Sequence, residues 1–394
     1  MRIAFVTFEF PPHVVGGAGV YAAQLTASLA KIGHEIVVFT PVPSSQSLQI
    51  ERPDNVEVHT VDTPAPGALR TIQFWTKLPK AIGEIAARCA FDVIHVNSLS
   101  YWFLTNRRLG SAPQVATIHH LVRDAAAHTS ASALTRVLDF GGENGLILPM
   151  IERRLLDSVD HIIAVSDYTR GQIIDTYRVD PKKITTIRCA LRWDESRRGE
   201  FESASLRKEI GLPNRPVVLF VGRIDAPRKG LPFLLSAFKM VLQRIDATLL
   251  IVGSGSSSKA ERLARRLGLS KNLMFAGPVD DLTLRKCYAA CDVFACPSTL
   301  EGFGLTILEA IAAGKPVVAN RVGAITEIVP RARVWSLTQP GSADEFANAL
   351  CHHLQTAQSL GSSTGEATWR LPESLRWSYA ARAVESVYKR MKPG

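Results

Sequence analysis

Short apolar runs recur along the whole chain, each followed by a polar or glycine-rich break and then by a longer stretch with helical spacing. Such runs lie at Arg2–Phe8, Glu35–Thr40, Val56–Val61, Asp92–Val96, Gln114–Ile118 and Asp160–Val165. Brief apolar runs bounded by turn residues predict strands covered on both faces. Between them, Val20–Lys31 predicts a helix ended at Gly33, and Thr71–Arg88 one broken at Pro79. Residues from Cys189 to Arg215 are charged and irregular and read as a linker. The rhythm then restarts, with strands at Pro216–Gly222, Thr248–Val252, Leu273–Gly277, Cys291–Cys296 and Pro316–Ala319 and a helix at Leu231–Ile245. Strand–helix alternation of this kind predicts parallel doubly wound α/β sheets, and the restart predicts two of them. Thr356–Thr368, rich in Ser, Gly and Thr, reads as a loop, and Ser374–Met391 as a closing helix carrying Trp377, Tyr379 and Tyr388.

In such sheets ligands bind beyond the C-terminal ends of the strands, so chemistry is sought there. After the first strand comes EFPPHVVGGAGVY, a glycine loop running into a helix and containing Gly16 and Gly17. Strand, glycine loop and helix start can cradle a phosphate; the alternative is a tight turn that lets the helix pack. The glycines do not fit G-x-G-x-x-G and no acidic residue closes the next strand, so an NAD site is not expected. His119 and His120 directly follow a strand; His119 takes a site role from that position, His120 a packing role, and Ser166 reads as a helix cap. Arg223 and Lys229 share one strand-end loop and can hold a diphosphate, the alternative being surface ion pairs. In CPSTLEGFGLTILEAIAAGKP, Glu301 falls in a loop past a strand and Glu309 about two turns into the following helix. Gly302 and Gly304 let a ligand approach the main chain, and the helix start favours an anion. The bland reading leaves both carboxylates as solvated charges.

Composition narrows the class. The 394 residues suffice for two domains, and 46% hydrophobic with 21% charged residues is a soluble globular profile. No run of 18 or more apolar residues appears, and MRIAFVTFEFPP is wrongly flanked for a signal peptide. A formal net charge of +10 points to phosphates, anionic lipid headgroups or nucleic acid. No nucleic-acid module is recognisable, which leaves phosphorylated substrates, with peripheral association at an anionic membrane as an addition. Two stretches could serve a membrane: Arg70, Lys77, Lys80 and Arg88 with Phe74 and Trp75, and Trp102, Phe103, Arg107 and Arg108. The alternative is solvated helix faces with packed aromatics. Six scattered cysteines without a C-x-x-C pair point to a reducing, cytoplasmic setting, and Cys287, Cys291 and Cys296 read as buried thiols rather than metal ligands.

Five features in one order, namely PPHVVGGAGVY, His119, VGRIDAPRKG, FAGPV and EGFGLTILEAIAAGKPVVA, resemble the retaining glycosyltransferases of family 4 over nearly the whole chain. The resemblance implies a GT-B fold: two Rossmann-like domains facing across a cleft, here 1–190 for the acceptor and 191–374 for the nucleotide-sugar donor, with a crossover helix at about 375–394 returning to the first. It implies that Arg223 and Lys229 bind the donor diphosphate. Glu301 and the main chain of Phe303, Gly304 and Leu305 would hold sugar hydroxyls and the distal phosphate, Glu309 the ribose, and Val279 the base. Gly16 and Gly17 would approach the phosphate and acceptor, and His119 the donor sugar or reacting centre. One departure is visible: where family members carry an Asn-Gly-Val-Asp-like turn, this chain reads Ile187-Arg188-Cys189-Ala190-Leu191-Arg192-Trp193-Asp194.

The implied reaction moves a hexosyl group from a nucleoside-diphosphate sugar, UDP or GDP, to a hydroxyl of a lipid-linked or small-molecule acceptor. No Asp-x-Asp metal motif or cofactor site is recognisable, so cations and a helix start are expected to meet the leaving-group charge. Other readings of the same fold are a nucleotide-sugar epimerase, a phosphorylase, or a catalytically silent sugar-nucleotide sensor. The implied location is the cytoplasm, including the inner face of the membrane.

Overall fold

The structure, a computed structural model, describes residues 1–12, 16–42, 53–65, 67–97, 108–121, 148–193, 203–328, 335–360 and 372–391. The chain divides into two compact units: Met1–Ala190 with Glu373–Gly394, and Leu191–Pro372.

In chain order the first unit holds β1 (Arg2–Thr7), α1 (Gly17–Lys31), β2 (Glu35–Val42), β3 (Val56–Asp62), α2 (Gly67–Ala86), β4 (Val93–Asn97), β5 (Gln114–Ile118), α3 (Leu148–Ser158), β6 (His161–Ala164), α4 (Asp167–Tyr177) and β7 (Ile184–Thr186). The second holds α5 (Ser203–Glu209), β8 (Val217–Val221), α6 (Leu231–Leu242), β9 (Thr248–Val252), α7 (Ser258–Leu267), β10 (Leu273–Gly277), α8 (Asp281–Ala290), β11 (Val293–Cys296), α9 (Leu305–Ala312), β12 (Val317–Asn320), α10 (Ile325–Ile328), β13 (Trp335–Thr338) and α11 (Ala343–Leu360). The last helix, α12 (Trp377–Met391), belongs to the first unit.

All strand pairs among the described residues are parallel. The sheet orders are β3-β2-β1-β4-β5-β6-β7 and β10-β9-β8-β11-β12-β13. Chain order therefore reverses direction between β1 and β4 in one sheet and between β8 and β11 in the other, the two places where such sheets open a crevice. The apolar runs of β4, β5 and β9 are buried at every position, as helices on both faces require. On α6, Leu231, Leu234, Leu235, Phe238 and Val241 recur at helical spacing and are fully buried, each stabilising by roughly 1.5–3 kcal/mol relative to exposure.

Several boundaries differ from the sequence reading. Helix α1 begins at Gly17, not Val20, so the glycine loop runs into its first turn. Helix α2 continues through Pro79; Phe74, Trp75, Leu78 and Ile82 are buried along it, and that packing outweighs the local cost of a proline. The linker contains α5, and α11 runs on through Thr356–Leu360, held by buried Leu350, Leu354 and Ala357. The rest of the expected loop, residues 361–368, lies outside the described residues. Ser166 caps α4, its hydroxyl accepting from Thr169 N at 3.0 Å.

Candidate active site

The second unit brings two loops together at its switch point. The turn Pro227–Lys229 follows β8 and ends at Gly230 (φ 70°), where an added Cβ would stand 2.2 Å from Pro297 O, in the loop after β11. Thr299 N donates to Arg228 O at 2.8 Å, tying the same loops. On the other side Asn320 Nδ2 donates to Pro297 O at 2.9 Å and Ala324 N to Glu301 O at 3.0 Å. Glu301 is thus clamped between the loops that follow β8 and β12.

That clamp sets its carboxylate against Lys229. Glu301 Oε1 accepts from Lys229 Nζ at 2.6 Å and from Ser298 Oγ at 2.8 Å. The carboxylate is buried, which raises its pKa, but Lys229 and Arg228 together with the two hydrogen bonds more than offset this and hold it below the ordinary value. Its Oε2 has no hydrogen-bond partner among the described residues. Gly304 (φ 96°) is the N-cap of α9, whose first N–H groups lack intrahelical acceptors. The main chain of Phe303, Gly304 and Leu305 therefore presents donors to an anion beside a carboxylate oxygen and an ammonium group.

Glu309 is the fifth residue of α9, little more than one turn in rather than two. It is buried, and Tyr288 donates to its Oε2 at 2.9 Å. Burial is the largest influence and, against Arg192 and Tyr288, pushes its pKa up to about 7. Arg192 is paired with Asp281 at 2.6 Å and the Trp193 ring lies edge-on to Tyr288, centroids 5.8 Å apart. Within the stretch that departs from the family's turn, Arg192 thus acts electrostatically on Glu309, and Trp193 packs on the tyrosine that donates to it. A carboxylate whose pKa rises from 4.5 to about 7 on folding favours the folded state while protonated, at pH below 4.5, and that contribution is lost as pH climbs through 7. Glu309→Gln has no such group. Its stability advantage over the parent is therefore expected to grow by about 3 kcal/mol from pH 4.5 to pH 8, read by urea unfolding at both; a pH-independent difference would contradict it.

The remaining donor-side residues stand apart. Arg223 is exposed, with Nε 3.5 Å from Asp225 Oδ1, and no described contact joins it to Lys229 or Glu301. Val279 is half-buried in the turn between β10 and α8, next to Asp280, which caps α8 by accepting from Thr283 N at 2.7 Å.

In the first unit, Gly16 is the N-cap of α1 and its N–H donates to Glu9 Oε2 at 2.8 Å; Gly17 is the helix's first residue. His119, beyond β5, has Nε2 2.8 Å from Asn97 Oδ1, at the end of β4, and its ring lies edge-on to Tyr21 at 4.9 Å. Burial, then His120, pushes its pKa down to about 3, so the ring is neutral at physiological pH. Behind it, His95 contacts Tyr388 of α12 through Nδ1 and Thr117 Oγ1 through Nε2, the latter at 2.7 Å.

Sequence reading missed Ser298, Tyr288, Asn320, Asn97 and the tie between Lys229 and Glu301. Asn97 and Asn320 had one signal, a polar residue closing an apolar strand. Tyr288 had none.

Phe74 and Trp75 are core residues, so neither is an exposed membrane anchor. Arg70 and Lys77 donate to Pro41 O and Asp62 O at 3.1 and 2.8 Å. Trp102, Phe103 and Arg107 lie outside the described residues, and Arg108 pairs with Asp160. No helix of the described residues is long and apolar enough to cross a membrane. Cys287, Cys291 and Cys296 are buried free thiols whose pKa values burial raises to about 11, 12 and 11.

Residues 15–192 match the family model described as Glycosyltransferase Family 4, and residues 215–356 match Glycosyl transferases group 1. The chain is a family 4 glycosyltransferase. This glycosyltransferase is 29% identical to D-inositol 3-phosphate glycosyltransferase 2 of Catenulispora acidiphila, over 95% of this chain and 90% of that one. It is 27% identical to the MMP alpha-(1->4)-mannosyltransferase of Mycolicibacterium hassiacum, over 99% and 98%. Its fold matches sucrose-phosphate synthase from Thermosynechococcus elongatus with a TM-score of 0.79, at 23% identity over 99% and 98% of the two chains. An Anabaena protein solved with UDP and glucose matches with a TM-score of 0.70, at 20% identity over 99% of each chain. The two parallel-sheet units of the glycosyltransferase are those of the GT-B fold.

Proposed function

We propose that the enzyme transfers a hexosyl group, with retention and without a metal, from a UDP or GDP sugar to a hydroxyl of a phosphorylated, lipid-linked or other small acceptor. The observation that carries this reading is the Lys229–Glu301–Ser298 cluster beside the start of α9. Glu301 Oε2 accepts from a sugar hydroxyl while Lys229 and the α9 amides face the diphosphate. Glu309 accepts from the ribose, which favours its ionised form and releases a proton near neutral pH. Arg223 swings to the diphosphate from its exposed position, Val279 borders the base, Gly16 and Gly17 approach the acceptor with their backbone, and His119 accepts from a substrate hydroxyl.

In the reaction the bond from the anomeric carbon to the diphosphate oxygen breaks and the acceptor oxygen bonds to that carbon on the same face. The acceptor's proton passes to the departing phosphate oxygen. Lys229 and the helix amides meet the growing negative charge, an effect worth about 2.7–4 kcal/mol per preorganised donor in comparable sites. Glu301 serves as a hydroxyl grip, its basicity lowered by Lys229, rather than as a nucleophile. Similarity to a D-inositol 3-phosphate glycosyltransferase and to a protein solved with UDP and glucose supports this reading.

A melting panel of UDP, GDP and ADP sugars tests it. A UDP or GDP sugar at 100 times its Kd is expected to raise Tm by about 5–10 °C. A panel in which no nucleotide sugar moves Tm would sink the proposal.

A further inference from the structure

The hydrogen bonds around Asn97 determine which nitrogen of His119 carries the proton. Thr7 Oγ1 donates its hydroxyl hydrogen to Glu9 O at 2.9 Å, so toward Asn97 it can only accept. Ala18 O, a carbonyl, can only accept as well. Asn97 Nδ2 lies 3.2 Å from Thr7 Oγ1 and 2.9 Å from Ala18 O. Both contacts require the amide NH2 at that end, so both its hydrogens are used and the side chain cannot be reversed. Asn97 Oδ1 therefore faces His119 Nε2 at 2.8 Å, and as an acceptor it demands Nε2–H. In a neutral imidazole the other nitrogen, Nδ1, then carries a lone pair. Nδ1 has no hydrogen-bond partner among the described residues. Tyr21 closes one side of the ring; His120 is the titratable neighbour that acts against protonation of His119, and His119 in turn acts against protonation of His95.

We propose that Asn97 is a positioning residue that locks His119 in its Nε2–H tautomer, making Nδ1 a permanent hydrogen-bond acceptor for a substrate hydroxyl. The second half of this inference rests on the glycosyltransfer reading; the first does not. Buried at the end of β4 and tied to β1 and α1, the amide also holds the ring's direction. A ring free to exchange tautomers would present a donor part of the time, and a donor repels a hydroxyl that must itself donate.

Nitrogen-15 NMR of histidine-labelled protein, with His119 assigned by its loss in His119→Gln, reads the tautomer without any substrate. The expected spectrum shows a protonated Nε2 and an unprotonated Nδ1, unchanged from about pH 6 to 8, as a pKa far below that range requires. A protonated Nδ1, or averaged shifts, would overturn the lock. In Asn97→Ala the two shifts are expected to move toward the averaged position. Turnover should fall on the order of ten-fold, the loss of one neutral hydrogen bond, with little change in donor KM. Unchanged shifts and unchanged kcat would overturn the assignment. Should Asn97→Ala fold poorly, His119→Asn and His119→Gln keep Asn97 intact. Asparagine places an acceptor at the Nδ1 position and is expected to retain more kcat than glutamine, which reaches only the Nε2 position; the reverse order would refute the role of Nδ1. A wild-type enzyme with the expected spectrum but no transfer from any nucleotide sugar would refute the functional reading alone and leave the lock established.

Discussion

Lys229→Ala is expected to lower transferase kcat by about 10²–10³-fold, the loss of one preorganised cation at the leaving group. The same change removes the ammonium that lies 2.6 Å from Glu301 Oε1 and leaves a buried carboxylate with Ser298 as its remaining hydrogen-bond donor among the described residues and Arg228 as its nearby charge. Side chains on both sides of this pair are largely shielded, so breaking it is expected to cost about 3–5 kcal/mol of stability. Two losses with different causes can be separated. In Lys229→Met with Glu301→Gln, no charge is left buried, and stability should return most of the way while activity stays low. A double-mutant cycle of unfolding free energies reads the coupling. Equal stability of Lys229→Ala and the parent would mean that the ion pair contributes nothing. Full turnover in Lys229→Ala would remove Lys229 from the leaving-group role.

Gly323→Ala is expected to be strongly damaging without any change of charge. Gly323 has φ 52°, and a Cβ there would stand 2.1 Å from Glu301 O. The left-handed conformation alone costs an L-residue roughly 1–2 kcal/mol. The clash adds about 1–3 kcal/mol, because the carbonyl it meets is itself held by Ala324 N at 3.0 Å. Relief of the clash must move the main chain of Glu301, so donor affinity should fall with stability. Gly211→Ala supplies the control: Gly211 has φ 69° but nothing within 4 Å of an added Cβ. It should lose only the conformational part and keep full donor affinity. Equal losses in the two variants, by denaturant unfolding and nucleotide-sugar titration, would contradict a specific contact at Gly323.

Both effects lie in contacts between loops from different strands, and that is where sequence reasoning was weakest. The strands were legible because a parallel sheet covered on both faces needs unbroken apolar runs, and β4, β5 and β9 have them. Boundaries that depend on partners were not. Pro79 reads as a helix break, yet α2 passes through it because four large side chains of that helix are buried. Thr356–Leu360 reads as loop, yet burial of Leu354 and Ala357 extends α11 across it. Phe74 and Trp75 sit among cations, a pattern that fits both a membrane face and a solvated helix with packed aromatics, and the structure puts both rings in the core.

The sequence by itself determined the two α/β repeats, the strand ends where polar and glycine residues gather, and the family to which EGFGLTILEAIAAGKPVVA and VGRIDAPRKG point. These follow from local rules: side-chain periodicity, the backbone freedom of glycine, and the break that each loop imposes. Only the tertiary structure decided that Lys229 and Glu301, 72 residues apart, share a proton-donating contact, and that Glu309 is held near neutrality by burial against Tyr288. It also decided that His119 answers to Asn97. The physical reason is that charge state and tautomer are set by distance and dielectric, which depend on how strands from remote segments are ordered in the sheet. Spacing along the chain carries no information about either.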